Sequence, residues 1–569
     1  MKVEKQGVMI NPVRRLFFGI CCLIFFSSAY AQKLTTEQWL EDLDYVVSNL
    51  KKHHPNLYYR VSEDTFGKAI DDAKNDIENS KTDLEAFMFL KKFVAFAQDG
   101  HTQLWDNGFL GISNLRFPLR VDQFSDGIFI TVIEKKYKNY LGSEVIAINK
   151  MPIKDVLRLT ALKTNMDTEF GRIRPSFQDI TFPKTLLGLG IIDDEKKMTL
   201  TIKNKKEKIE NLVIHAKEDS SPVLWSNRLN QAPAFGDYVS IEDLLGDDGL
   251  PLHLKKQGDN VEFFWFEKVK GSNTVYFQYN QVYEQRNHFE SWNQFSDRFW
   301  EYVDSNHIDK IIIDIRYNDG GNARMAIPFV NQIIKRDIFR RGDNLFLLVG
   351  NRTYSASVIF MTELEAHTDA IFVGSPPASP FNFFSDMVRV GNLPNSGAGL
   401  GIASRQVDNS WHPQTEYFSP DIAATISSEE YFSGKDPVLE AALANKIVPV
   451  PKYAIKYGAN KAFEYYKQLK TNYGHLDWWL QIKSAFLERS INSYGYRMMN
   501  QGKQKEAFEL FYLNTMLFQD SSNVWDSFGE WHLMNKKNDL AKKYYKQSIK
   551  LNPKNLNAIE MLSKISSQN

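Results

Sequence analysis

The sequence predicts an α/β protein of several domains, with a helical region and a β-rich region ahead of the α/β core and helical repeats behind it. Three observations carry this. Two apolar runs, Ile311-Ile312-Ile313 and Leu345-Phe346-Leu347-Leu348-Val349-Gly350, each end in a turn and are followed by segments of helical length and spacing, Ala323 to Lys335 and Val358 to His367. Near the amino terminus, Leu40, Leu43, Val46, Val47 and Leu50 recur at helix spacing. Near the carboxyl terminus a pattern of small and aromatic residues recurs at 34 residues.

Taken in order, residues 1–31 read as an export signal. Lys2, Lys5, Arg14 and Arg15 precede an apolar stretch from Leu16 to Phe26, and Ser27-Ser28-Ala29-Tyr30-Ala31 supplies an Ala-x-Ala cleavage site. The stretch is shorter than the ~20 residues a permanent membrane span needs, so the expected location is periplasmic or extracellular. Both cysteines, Cys21 and Cys22, lie inside the removed segment, which leaves no thiol for a disulfide, a nucleophile or a metal site. Residues 32–110 then form a helical domain, 111–268 a β-rich domain, 269–450 the α/β domain, 451–485 linker helices and 486–569 the repeats. In the repeats Tyr494-Gly495 returns as Phe528-Gly529, Ala507 as Ala541, Phe511 as Tyr545 and Leu517 as Leu551, with a capping helix from Leu556 to Ile565. This period and pattern resemble tetratricopeptide repeats, whose surface can meet a protein partner. Two units offer little concave surface, so a brace against the α/β domain is the simpler role.

In an open α/β sheet the carboxyl ends of the strands carry the chemistry. The first apolar run leads into Asp314-Ile315-Arg316-Tyr317-Asn318-Asp319-Gly320-Gly321, whose paired glycines can turn backbone N–H groups toward an oxyanion. The second leads into Asn351-Arg352-Thr353-Tyr354-Ser355-Ala356-Ser357, which presents a serine on a strand-to-helix turn with the Ala356 N–H free at the helix start. Such a serine needs a base. Of the 11 histidines, His53, His54, His367, His475 and His532 sit at helix ends or in the C-terminal helical region, whereas His101 follows the turn dipeptide Asp99-Gly100.

These segments, in the order Asp99-Gly100-His101-Thr102, Asp314-Ile315-Arg316 with Asn318-Asp319-Gly320-Gly321, and Thr353-Tyr354-Ser355-Ala356-Ser357, resemble the C-terminal processing (tail-specific) serine peptidases, including the tricorn-core branch. Tyr276-Phe277-Gln278-Tyr279-Asn280, Leu393-Pro394-Asn395-Ser396, Ser419-Pro420-Asp421-Ile422 and Gly434-Lys435-Asp436-Pro437 extend the resemblance over about residues 35–445. It implies a ClpP/crotonase-like catalytic domain, a peptide or protein substrate, Ser355 as nucleophile, and Gly320 or Gly321 with Ala356 as oxyanion hole. One branch of the family uses a lysine about 25 positions after the serine, but that position here is Pro380, so the resemblance points to His101 as base. Asp386 and Glu416 are the candidate acids to orient it. Many members carry a glutamate three residues after the nucleophile, where this chain has Val358. Gly142-Ser143-Glu144-Val145-Ile146-Ala147-Ile148-Asn149 followed by Met151-Pro152-Ile153 resembles part of a PDZ-like module, which takes a peptide as an added strand.

Other classes lose support. The 69 basic and 69 acidic residues become a net charge of −3 once residues 1–31 are removed, with no basic cluster to favour nucleic acid. No His-Glu-x-x-His, cysteine pair or phosphate loop occurs, so neither a metal nor a cofactor is expected. A catalytically impaired peptide-binding scaffold of the same fold is the alternative, since Pro380 and Val358 replace two of the family's functional positions.

Overall fold

The computed structural model describes residues 33–218, 238–255, 262–285, 290–340, 344–408, 418–444, 448–473 and 477–567. The export signal at 1–31 and Glu416 lie outside them.

Three amphipathic helices open the fold: Thr36–His53, Glu63–Glu78 and Asp83–Ala95. Thr35 starts the first with a capping box to Gln38, and Trp39, Leu43, Val46 and Leu50 form its buried stripe. These helices do not close a core by themselves. Leu393, Ala398, Leu400 and Ile402, from a long hairpin near the other end of the α/β region, complete it. The hairpin strands are Asn382–Asn392 and Gly399–Asp408, and Gln103–Trp105 pairs with the second of them. At the hairpin tip, the backbone N–H groups of Asn395 and Ser396 donate to the buried carboxylate of Asp42 at 2.9 and 3.0 Å. That is the physical role of the Leu393-Pro394-Asn395-Ser396 motif.

The next region contains the expected antiparallel sheet, built on Leu119–Phe124, Gly127–Glu134, Glu144–Ile148, Lys197–Lys203 and Ile209–His215. It is less strand-dominated than the sequence suggested. The helices Ile153–Leu162, Glu169–Asp179 and Pro183–Gly188 pack on the sheet, because Ile153, Val156, Phe177 and Leu186 join its core cluster. These are short apolar stripes interrupted by polar residues, which read as readily as short strands.

The α/β region is a six-stranded sheet in the order Phe264–Lys268, Thr274–Tyr279, Lys310–Asp314, Leu345–Val349, Ile371–Gly374, Ile422–Ala423. The first pair is antiparallel and the rest are parallel. Phe264–Lys268, which the sequence assigned to the β-rich domain, therefore belongs to this sheet. Ile311 and Ile313 face one layer with Phe295, Phe329 and Met361, while Ile312 faces the other with Val438 and Leu439. Burial on both faces is why the strands read as unbroken apolar runs rather than alternating ones.

Behind the sheet, Arg316 is buried and forks onto both carboxylates that flank it. Its Nη2 lies 2.6 Å from Asp314 Oδ2 and 2.7 Å from Asp436 Oδ2, and His253 Nδ1 lies 2.8 Å from Asp436 Oδ2. Two motifs that look unrelated in the sequence, Asp-Ile-Arg and Gly-Lys-Asp-Pro, are thus halves of one ion network.

The C-terminal helices pack in sequence, Asp477–Asn500, Gln504–Leu517, Ser522–Met534, Asn538–Leu551 and Leu556–Ser567. Residue 486, the expected start of the repeats, lies inside the first of these. The 34-residue recurrence has a physical content: a Cβ on Gly495 would fall 2.7 Å from the Phe511 ring, and one on Gly529 would fall 3.1 Å from the Tyr545 ring. In both helix pairs a ring packs closely against a glycine. No described helix is long and apolar enough to cross a membrane.

Candidate active site

Ser355 sits between the strand Leu345–Val349 and the helix Ala356–His367, with φ 57° and ψ −121°. A non-glycine residue in that region is strained, and the strain turns the side chain out at a sheet's carboxyl end. Neighbouring bonds hold the turn. Thr353 Oγ1 donates to the Ile315 carbonyl at 2.8 Å, and the Tyr354 N–H donates to the Asn318 carbonyl at 3.0 Å. Ser357 is fully buried and its hydroxyl also reaches the Asn318 carbonyl, at 2.8 Å, so it fastens the two loops together.

Asn318 organises the glycine loop from the other side. Its Nδ2 donates to the Tyr279 carbonyl at 2.9 Å and its Oδ1 accepts the Gly320 N–H at 2.9 Å. The Gly320 N–H is thereby occupied. The N–H groups of Gly321 and Ala356 have no hydrogen-bond partner among the described residues. Gly320 has φ +95°, and a Cβ there would lie 2.8 Å from Ala356 N, Ser355 Cβ and the Tyr354 carbonyl. The loop therefore meets the serine turn with no room for any side chain.

His101 comes from the turn after the helix Asp83–Ala95. Its backbone N–H donates to Asp99 Oδ1 at 2.9 Å, and the Asp99 N–H donates to Asn165 Oδ1 at 2.8 Å. Asn165 Nδ2 closes the bracket by donating to the Thr102 carbonyl at 2.7 Å. His54 is no bystander at a helix end: its Nε2 lies 3.1 Å from the other oxygen of the buried Asp99. The outcome is that His101 Nε2 lies 3.1 Å from Ser355 Oγ.

The group on the other imidazole nitrogen is not Asp386. Nδ1 lies 2.9 Å from the Tyr354 hydroxyl, with the two rings stacked at 5.0 Å. Burial and the charges of Asp167, Asp99 and Asp319 push the Tyr354 hydroxyl well above its ordinary pKa, so it stays protonated. Gly100 is required by this contact, since a Cβ would lie 2.2 Å from Tyr354 Oη. The Asp386 side chain is exposed, pairs with Arg405 at 3.6 Å and makes no hydrogen bond to His101. Its charge still acts at a distance. Burial holds His101 below the usual imidazole pKa, against the opposing charges of Asp99 and Asp386 and the Phe384 carbonyl. Pro380 is buried in the loop behind the site.

Comparison with solved structures bears on the fold. Mature CPAF complexed with lactacystin aligns over 72% of this chain and 97% of its own, with TM-score 0.50 and 13% identity. Mature CPAF alone aligns over 73% of this chain and 99% of its own, again with TM-score 0.50 and 13% identity. The chain shares its fold with CPAF. The photosystem II D1 C-terminal processing protease aligns at TM-score 0.31 and 12% identity, over 71% of this chain and 99% of its own. No family model matches the chain. No curated protein matches it either. Within this fold the sequence had located the serine turn, the glycine loop and the histidine turn. It missed Tyr354, Asp99, His54 and Asn165, because no spacing rule reports which side chain will touch an imidazole contributed from 253 residues away. Among the described residues no cluster of metal-ligating side chains occurs.

Proposed function

We propose that this protein is a serine peptidase that cleaves peptide bonds through an acyl-enzyme on Ser355. The 3.1 Å contact between His101 Nε2 and Ser355 Oγ carries the reading. In acylation His101 accepts the serine proton as Oγ attacks the scissile carbonyl, and the imidazolium then protonates the leaving amine. Gly321 and Ala356, whose N–H groups are uncommitted, hold the tetrahedral oxyanion. Water, activated by the same imidazole, releases the product. The chain's apolar leader supports export to the periplasm or beyond, the β-rich domain is read as PDZ-like, and the C-terminal hairpins as tetratricopeptide-like.

Tyr354 sets a condition on this chemistry. Its hydroxyl must accept from Nδ1–H, because a hydroxyl donating to Nδ1 leaves the proton on Nε2 and removes the base. The second case favours the alternative reading, a peptide-binding scaffold with an idle serine. Labelling with a fluorophosphonate separates the two. The wild-type protein should be labelled and Ser355→Ala should not, with turnover falling by on the order of 10⁶. An unlabelled wild-type protein would favour the scaffold, and undiminished hydrolysis by Ser355→Ala would remove the serine from the mechanism.

A further inference from the structure

The segment Asn165–Thr168 lies between two helices of the β-rich region, outside both turns that bear the reacting groups. It nevertheless touches both. Asn165 brackets the histidine turn by accepting from Asp99 and donating to Thr102. Two residues on, Asp167 Oδ2 accepts from the Ser379 hydroxyl at 2.6 Å, and Thr168 Oγ1 donates to the Ala378 carbonyl at 2.9 Å. Ala378 in turn donates its N–H to the Thr353 carbonyl at 2.9 Å, two residues before Ser355. Gly171 lets the segment press on this turn, since a Cβ there would fall 2.7 Å from the Ala378 carbonyl.

Asp167 is buried, and its Oδ1 has no hydrogen-bond partner among the described residues. Structural carboxylates in protein interiors usually have both oxygens satisfied. We propose that Asp167 is a positioning residue that, through Ser379 and its neighbour Thr168, fastens the 377–380 turn behind Ser355 to the bracket around His101 and so sets the distance between serine and base. The inference rests on the serine-peptidase reading and deepens it.

The clasp is also sensitive to protons. Burial pushes the Asp167 carboxyl up to about 7; Arg60, the Ser379 hydroxyl and the Gly100 N–H favour the anion, and Asp99 opposes it. Arg60 faces it from the loop after the first helix, donating to the carbonyls of Gln98 and Asp167 itself. Asp99 faces it from the histidine turn, already committed to His54, and Tyr354 from the serine turn. A carboxyl raised above its solvent value binds its proton more tightly in the closed clasp than in an open one. Closure is therefore favoured most at low pH and progressively less as pH rises toward 7.

The test follows the fluorophosphonate reaction rate and peptide turnover against pH in the full chain. For wild type, turnover should rise through the imidazole ionisation and turn down with an apparent pKa near 7. Asp167→Asn, which keeps an acceptor for Ser379 but cannot ionise, should retain activity and lose the downturn. Asp167→Ala and Thr168→Val should each lower kcat and the labelling rate by tenfold or more with KM little changed, and circular dichroism would confirm that they fold. If Asp167→Ala misfolds, the pH profile of Asp167→Asn decides the question. Wild-type labelling rates in Asp167→Ala, or an identical downturn in Asp167→Asn, would overturn the clasp while leaving Ser355 and His101 in place. Loss of labelling confined to Ser355→Ala would support the peptidase reading and reject the clasp.

Discussion

A hydroxyl in the place usually given to a carboxylate is the residue-level surprise of this site. A carboxylate can only accept from Nδ1, whereas Tyr354 can accept or donate, so the productive tautomer is not enforced by charge. Tyr354→Phe should therefore lower kcat/KM by about tenfold to a hundredfold, less than the ~10⁴ seen when a buried aspartate is lost from a triad. The acid limb of the pH profile should lie below the ordinary ~6.5 of imidazole, because burial lowers the His101 pKa. A limb above that value, or unchanged activity in Tyr354→Phe, would show that another group orients the ring. The sequence displayed Ser355 and His101 because each sits at a turn with its own local signature. Tyr354 was in view as the serine's neighbour, but its reach to His101 depends on the positive φ of Ser355, which no residue pattern announces. Asp386 drew notice through its position in the chain, and only the structure shows its side chain turned to solvent beside Arg405.

At the scale of elements, the two turns are fitted to each other without slack. Gly320→Ala should abolish labelling while the sheet still folds, since its Cβ would displace Ala356 N, Ser355 Cβ or the Tyr354 carbonyl, and alanine at φ +95° adds backbone strain. Loss of one oxyanion donor typically costs about 10² to 10³ in rate, and a displaced serine costs more. Retained activity would mean that the loop can retreat. Strands and helices of this region were legible because both faces of the sheet are buried, which leaves continuous apolar runs bounded by turn residues. The short helices between Ile153 and Gly188 were not, because a six- to eleven-residue stripe carries too few turns to establish a period.

For the whole molecule, stability is concentrated where distant segments meet in one buried network. Asp436 accepts from both terminal nitrogens of Arg316 and sits against His253 of the β-rich region, and the Arg316 guanidinium with the His253 contact holds its carboxyl well below the usual carboxylate range despite burial. A depressed carboxyl contributes stability that is present above its ordinary pKa of ~3.9 and lost as pH falls toward the folded value. Asp436→Asn should destabilise the α/β region by about 3–5 kcal/mol, because it leaves Arg316 buried with half its partners. A thermal melt at neutral pH should show it, and the difference from wild type should shrink as the pH is lowered below 4. An unshifted melt would mean that Asp314 alone neutralises the guanidinium.

The hairpin that completes the N-terminal core has a consequence in time. His101 lies 254 residues ahead of Ser355, and the strand beside it, Gln103–Trp105, pairs with Gly399–Asp408. A chain made from its amino end thus contains His101 early and Ser355 late, yet cannot hold the two in register until the hairpin has been synthesised. On the serine-peptidase reading the site is latent for most of the chain's own manufacture. A chain stopped at Asp386 should carry every reacting group and remain inert to a fluorophosphonate, and labelling of that fragment at the full-length rate would show that the helices seat His101 unaided.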